Sequence, residues 1–274
     1  MKDEWESQLL DCVAEYAMKV IKEVNPKDGV YIAIDGVVPM AKMRQQRLRR
    51  FKSVWLSQQS EESVIKPAWD RNAITPGTLF MSKLRKRLET MINKQGRSSW
   101  KLSSSDEPGE GEHKIINEWR SGKYNGDFAV YGLDADLIVL SILGRECCQL
   151  ENKVWLFREE VNAGKIQYDS EGEEVFEWFS INHLIDWLTR DFSKESGKQR
   201  QFILNYCFAM SVLGNDFLPS SLGLKIRDDG HSELLDIIKD LTFKGYNLIN
   251  SMSLEILYEG LMKLFEVLAA DEEK

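Results

Sequence analysis

Apolar positions recur at helical spacing along the first stretch of the chain. Trp5, Leu9, Cys12, Val13, Tyr16, Val20 and Val24 form one stripe, which predicts an amphipathic helix that Asn25-Pro26 stops ahead of Gly29. The pattern then changes. Residues 30–34 are an unbroken, β-branched-rich run between Gly29 and Gly36. That is the mark of a strand buried on both faces, and Asp35 stands at its carboxyl end. The next helical stripe is Phe80, Leu84, Leu88, Met91 and Ile92, and Thr75-Pro76 ahead of it reads as its start, with threonine as cap and proline in the first turn. Residues 103–108, rich in serine, predict a loop. Ile115, Ile116 and Trp119 predict a helix from Gly109 onward. Residues 128–133 and 154–157 predict two more buried strands, and Gly164 and Gly172 in polar sequence a hairpin. From there the period is helical over residues 181–188, 202–213 and 254–268.

Strands separated by helices, built from apolar runs rather than alternation, predict an α/β fold with a parallel sheet covered by helices on both faces, followed by a helical C-terminal part. The length of 274 residues suits one large domain or two small ones. The expected division is a core over residues 1–245 and a C-terminal helix, 246–274, packed on the same domain. The acidic N-terminus MKDEWESQLL has no apolar leader, and no stretch approaches the roughly 20 apolar residues of a membrane span. The expectation is an intracellular protein of cytoplasm or nucleus, without a membrane partner. Cys12, Cys147, Cys148 and Cys207 make no CxxC pair, and His113, His183 and His231 are too scattered to join them in a zinc site. Reduced thiols are expected.

Candidate chemistry gathers at element ends. In a parallel sheet, ligands bind outside the carboxyl ends of the strands. Asp35 ends the first strand, and GLDADL sets Asp134 and Asp136 after the second, at a spacing that can point both carboxylates into one crevice. PGEGEHK places Glu110 and Glu112 at a helix start, where Gly109 and Gly111 free the backbone, and LGNDFLP supplies Asp216 in a turn. Singly, each acid could be a helix cap or a turn residue. Together, the six would repel one another unless a cation neutralised them. Oxygen ligands suit Mg²⁺ or Mn²⁺, and paired ions serve phosphoryl-transfer and nuclease chemistry. Neither GxGxxG nor GxxxxGK[ST] occurs, so a glycine loop cradling a nucleotide is not supported.

The net charge is −8, yet GVVPMAKMRQQRLRRFK, residues 36–52, carries six Lys or Arg and no acid. A solvated helix face mixes signs for i, i+4 support, and this one does not. On a helix, Lys42, Gln46, Arg49 and Arg50 share one face, while Leu48, Phe51 and Trp55 are expected to face the core. Guanidinium forks and an ammonium beside a metal-binding Asp35 suit a terminal phosphate.

In this order, IDGVVPMAKMRQQRLRRF, NAITPGTLFM, PGEGEHKI, YGLDADLIVLSIL, LFREEV and LGNDFLP resemble the XRN family of 5′→3′ exoribonucleases, from about Tyr31 to about Ile238. The resemblance implies a Rossmann-like nuclease core, related to PIN and flap-endonuclease domains. It also implies processive, Mg²⁺-dependent hydrolysis of single-stranded RNA bearing a 5′-monophosphate, with release of nucleoside 5′-monophosphates. Motif by motif, it implies that Asp35, Glu110, Glu112, Asp134, Asp136 and Asp216 are the metal-binding acids. It implies that Lys42, Gln46, Arg49 and Arg50 form the 5′-phosphate pocket, which in the family excludes triphosphate and capped ends.

The departures from the pattern are specific. A family segment beginning MGVP, with a strand ending in DMNG that supplies another metal-binding Asp and a base-stacking His, has no counterpart ahead of Asp35. The second conserved block, with the aromatic partner of that stacking, would lie beyond Lys274. Met40 and Arg44 stand where the family has Arg and Asn, and Ser220 where His commonly follows GNDFLP. The expectation is a reduced XRN-like core, with a second chain as a candidate source of the N-terminal strand. Two other functions share parts of this logic: a flap-type DNA nuclease, and a non-catalytic module that binds RNA 5′ ends. The basic QQRLRRF helix favours the RNA exonuclease.

Overall fold

The computed structural model describes residues 2–59, 69–124, 126–132, 134–147, 152–193, 197–215, 217–221, 223–224, 226 and 229–272. They gather in two compact units, Met1–Tyr124 and Asn125–Lys274.

In the first unit, helix α1 (Lys2–Val24) and helix α3 (Leu79–Lys94) pack together against a pair of strands, β1 (Val30–Ala33) and β2 (Trp100–Ser103). Leu10 and Ala14 of α1 meet Phe80, Leu84, Leu88 and Ile92 of α3 in one apolar core, which Trp100 closes and against which Val30, Ile32 and Leu102 pack. The stripe read from the sequence is not this contact face. Leu9 packs against the core and Val20 is buried, but Trp5, Cys12 and Val13 are exposed, because the face turned to α3 carries Leu10 and Ala14, with Ala17, Met18 and Ile21 beside them. β1 and β2 run parallel, from Val30 opposite Trp100 to Ala33 opposite Ser103. β1 is half-buried rather than enclosed. β2 lies where the sequence predicts only the approach to a serine loop.

Two further expectations need correction in this unit. Helix α3 begins at Leu79, not at Thr75-Pro76, and Thr78 is its cap, accepting from the Met81 amide. The reason is Gly77, whose φ of +85° is a left-handed turn that cannot lie inside a right-handed helix. Helix α2 (Met40–Gln59) forms as predicted, but Leu48, Phe51 and Trp55 are 64%, 71% and 48% exposed. Its inward face is the polar one, built from Lys42, Gln45, Gln46 and Arg50. Ionic partners waiting in this unit, described below, decide which side turns in.

In the second unit, β3 (Phe128–Tyr131), β4 (Val154–Glu159) and β7 (Phe176–Ser180) make one sheet in the order β3-β4-β7. β3 and β4 are parallel, and β7 is antiparallel to β4. The sheets are small, and the described pairing is mixed where a mostly parallel sheet was expected. β7 went unread because Phe176, Glu177, Trp178 and Phe179 follow a hairpin with no helix between. That hairpin pairs β5 (Val161–Asn162) with β6 (Lys165–Ile166), turning at Ala163 and Gly164, both with positive φ. Helices α5 (Asp136–Cys147), α6 (Ile181–Leu188), α7 (Lys198–Ala209), α8 (Gly230–Lys244) and α9 (Tyr258–Glu272) complete the unit.

Phe157, Ile142, Leu188, Phe202, Ile203, Leu234 and Ile238 are among its fully enclosed side chains. The predicted helix 202–213 ends in a 3₁₀ turn, Met210–Leu213. The last helix starts later than residue 254, because Leu254 takes φ +60° in a turn built on Asn250. No disulfide joins Cys12, Cys147 or Cys207 among the described residues, and Cys148 lies outside them. No helix among the described residues is long and apolar enough to cross a membrane.

Candidate active site

The site in the first unit is built where β1 and β2 end. Lys114 of helix α4 (Gly111–Arg120) is buried, and its Nζ donates to the carbonyls of Ile34, at 2.7 Å, and Ser104, at 2.9 Å. One ammonium thus ties together the two chain segments that leave the parallel pair. Desolvation pushes this lysine below its ordinary pKa, while the carboxylates of Glu107 and Asp35 act to hold it up. The loops are also stitched through their backbones: Gly36 N–H donates to Gly109 O at 2.8 Å, and Gly109 N–H to Val37 O at 2.9 Å.

This stitching brings Asp35 against the start of α4. Its Oδ1 accepts from the Gly111 amide at 2.7 Å, the favoured place for an anion at a helix N-terminus. Glu110 is the N-cap residue of α4 but makes no capping bond with its side chain. Instead Oε2 meets Lys42 Nζ at 2.9 Å, and Oε1 is buried without a hydrogen-bond partner. Glu112 occupies the first turn, where its charge suits the helix dipole. Ligand atoms of Glu110, Glu112 and His113 all lie within 4.8 Å of one another.

A buried, unpartnered carboxylate oxygen beside a second carboxylate and an imidazole fits a hard divalent cation. Without a cation, such an oxygen carries a desolvation penalty that the Lys42 ammonium on the other oxygen offsets only in part. Glu110 and Glu112 would hold the ion, with Asp35 on the neighbouring amide. His113 joins this set although the sequence reading set it aside; its position directly after Glu112 was the available signal. Lys114 was missed too, and its signal was the i, i+4 spacing from Glu110.

The phosphate quartet divides. Lys42 is engaged by Glu110. Arg50 Nη1 donates to Thr75 Oγ1 at 2.8 Å, and Nη2 to Ile74 O at 3.4 Å. Gln46 is half-buried on the same side, whereas Arg49 is exposed. So Lys42, Gln46 and Arg50 form one inward line at four-residue spacing, and Arg49 stands beside it.

In the second unit, Asp134 and Asp136 stand at the turn between β3 and α5, where the sequence reading put them. Asp134 Oδ1 accepts from the Asp136 amide at 3.3 Å and Asp134 O from the Leu137 amide at 3.2 Å, so Asp134 caps the helix that Asp136 opens. Both are exposed. Asp216 lies outside the described residues. Its neighbour Asn215 accepts from the amides of Phe217 and Leu218 at 2.9 and 2.8 Å, which makes the predicted turn.

A sequence profile described as XRN 5′-3′ exonuclease N-terminus matches residues 1–160. The chain belongs to the XRN family. The matched segment contains every candidate acid except Asp216, and the whole phosphate quartet. Among curated XRN proteins, the chain is similar to 5′-3′ exoribonuclease 1 of Saccharomyces cerevisiae, 32% identical over 275 residues. That alignment covers 89% of this chain and 18% of the yeast protein. The 5′-3′ exoribonuclease 2 of Kluyveromyces lactis is 33% identical over 293 residues, covering 86% of this chain and 29% of that protein. The 5′-3′ exoribonuclease 1 of Schizosaccharomyces pombe is 30% identical over 289 residues, covering 92% and 21%. The chain therefore spans under a third of the length of each of these XRN relatives.

Proposed function

We propose that this chain is the nuclease core of a 5′→3′ exoribonuclease, acting on single-stranded RNA with a 5′-monophosphate and releasing nucleoside 5′-monophosphates. The reading carries with it the family's Rossmann-like, PIN-related fold and an intracellular setting. The observation that supports it most is Glu110: a buried carboxylate with one oxygen unpartnered and the other on Lys42, so that an acid of the metal set and a cation of the phosphate set meet.

Glu110 and Glu112, with Asp35 oriented by the Gly111 amide, would hold Mg²⁺ or Mn²⁺, and Asp134, Asp136 and Asp216 are proposed to complete the acid set. When bound, the ion lowers the pKa of a water and stabilises charge on the phosphate and the leaving 3′ oxygen. Lys42, Gln46, Arg49 and Arg50 would bind the terminal phosphate, which sets the register of the first phosphodiester against the acids. Lys114 would keep the strand ends, and with them Asp35, in place.

The test pairs the wild-type chain with Asp134→Asn, which can still accept the Asp136 amide and so keeps the cap while losing the charge. With Mg²⁺ and 5′-monophosphate RNA, wild type should release mononucleotides and the variant should not, at unchanged thermal stability. Normal turnover by the variant would remove Asp134 from the mechanism. Binding without release in wild type would favour the RNA-end binder, and cleavage of flap DNA in preference to RNA would favour the flap nuclease.

A further inference from the structure

The Lys42–Glu110 pair joins two halves of the site that the proposed reaction needs separately. Its side chains are 11% and 4% exposed, with Nζ and Oε2 2.9 Å apart. Lys42 belongs to the inward line of α2 with Gln46 and Arg50. Glu110 belongs to the acid cluster with Glu112 and His113. One ammonium cannot serve both at once. A cation that takes Glu110 competes with Lys42, and a phosphate that takes Lys42 removes the counter-charge of a buried carboxylate. Breaking a buried pair by removing one partner is strongly unfavourable, so each exchange proceeds far more readily when the other accompanies it.

We propose that Lys42 is a toggle: it neutralises Glu110 while the carboxylates hold no metal, and it moves to the 5′-phosphate when a divalent cation takes its place. Metal occupancy and recognition of a 5′-phosphate are then coupled. The inference rests on the reading of the site given above. By linkage the factor is reciprocal: metal tightens phosphate binding as much as phosphate tightens metal binding.

The local structure permits the exchange. Lys42 lies in the first turn of α2, and its four-carbon stem can redirect the ammonium without moving the helix. No acid occurs from Gly36 to Ser60 to recapture it along the chain. Arg50 cannot stand in on Glu110, because Thr75 and Ile74 hold its guanidinium. A 5′-hydroxyl offers the released ammonium no counter-charge, so the coupling is confined to phosphorylated ends.

The test uses the whole chain with Mn²⁺ as the cation and AMP or adenosine as ligand, neither of which contains a phosphodiester to cleave. Ligand affinity is followed by NMR line shifts in the metal-free protein and by calorimetry with Mn²⁺. Wild type should bind AMP about tenfold more tightly with Mn²⁺ than in EDTA, and adenosine equally in both. Glu110→Gln should bind AMP in EDTA about as tightly as wild type does with Mn²⁺, since the charge of the Glu110 carboxylate no longer holds Lys42. Lys42→Met should bind AMP weakly with or without Mn²⁺, and adding Glu110→Gln to it should gain nothing.

An AMP affinity in wild type that ignores Mn²⁺ overturns the toggle. So does an Mn²⁺ enhancement that survives in Lys42→Met, because the metal would then attract the phosphate directly. If AMP and adenosine bind alike in wild type with Mn²⁺, the 5′-phosphate pocket itself falls, and the toggle with it. Should Lys42→Met fail to fold, the wild-type and Glu110→Gln measurements decide the matter alone.

Discussion

Gly36, the residue after Asp35, is where the site can be tested through packing alone. A Cβ built on it would lie 1.8 Å from the carbonyl oxygen of Glu107, 2.8 Å from the carbon of that carbonyl and 3.2 Å from Pro108 Cα. All three are backbone atoms, so no side chain can swing aside. Ordinary contact begins near 3.4 Å, so Gly36→Ala must drive the two loops apart by about 1.6 Å at that point. The movement strains or breaks two hydrogen bonds, Gly36 N–H to Gly109 O and Gly109 N–H to Val37 O, each with a net contribution of about 1 kcal/mol.

With overpacking strain of roughly 1–3 kcal/mol, the expected loss is about 3–5 kcal/mol. That lowers the melting temperature of the first unit by more than about 10 °C. Because the displaced loop leads to Glu110, Mn²⁺ affinity measured well below the new midpoint should fall as well. Gly122→Ala is the control. A Cβ there meets nothing within 4 Å, and only its φ of +66° opposes the substitution, at about 1 kcal/mol. Circular dichroism melts and Mn²⁺ titrations on both variants decide the case. If Gly36→Ala melts within about 2 °C of wild type and binds Mn²⁺ normally, the loops do not meet as described.

Arg49 and Arg50 should separate in their effects. Arg50→Ala removes the contacts to Thr75 and Ile74 and should lower stability by about 1 kcal/mol, whereas exposed Arg49→Ala should leave the melt unchanged. The double variant should lose more affinity for 5′-monophosphate than for 5′-hydroxyl RNA in a binding titration, and equal losses would mark an unspecific electrostatic groove. The Lys101–Glu118 pair sets a pH dependence. The hydrogen bond from Lys101, and then that from Tyr124, hold the Glu118 carboxyl below its ordinary 4.5. The contribution is therefore full above 4.5 and disappears as pH falls through the lower folded value. The bond to Glu118 raises Lys101 above its ordinary 10.5, so its share is full below that and disappears as pH rises through the folded value. Urea midpoints of wild type and Glu118→Gln should converge from pH 7 toward pH 3, and a constant gap would refute the assignment.

What the sequence reveals depends on how far apart the deciding residues lie. The helix from Trp5 to Val24 is a local pattern and reads correctly as a helix, but its inward face does not, because α3 takes Leu10 and Ala14 while Cys12 and Val13 are left exposed. The strand β1 is legible as a strand because it is a run of its own, although it is half-buried rather than enclosed. Its partner is not legible, because Trp100, Lys101, Leu102 and Ser103 have no character until Val30 to Ala33 lie alongside. Helix α2 is the sharper failure. Its period is right and its orientation is reversed: Leu48, Phe51 and Trp55 face outward, since the buried Glu110 and the Thr75 hydroxyl require the cationic side within. Hydrophobic patterning counts area removed from water, and it cannot register an ionic requirement set by residues of another motif.

As a sequence pattern the acids read as a set, but singly each also suits a helix cap, and the contacts of Asp35 and Asp134 leave a cap compatible with the proposed ligand role. Asp35 Oδ1 accepts from the Gly111 amide, and Asp134 Oδ1 accepts from the Asp136 amide. Each carboxylate has two oxygens and about four acceptor positions, so one amide bond leaves Oδ2 for another ligand. The amide also fixes the torsion of a short side chain whose other oxygen would have to meet an ion within a few tenths of an ångström. Glu110 reaches the same end differently, since it forgoes the cap and is fixed by burial. A cap at the carboxyl end of a strand would thus let the local sequence aim a ligand, as proposed for Asp35 and Asp134. The two readings diverge only in what removal does: losing a cap lowers stability by about 1 kcal/mol, and replacing its charge alone, as in Asp134→Asn, should leave stability intact and remove the chemistry.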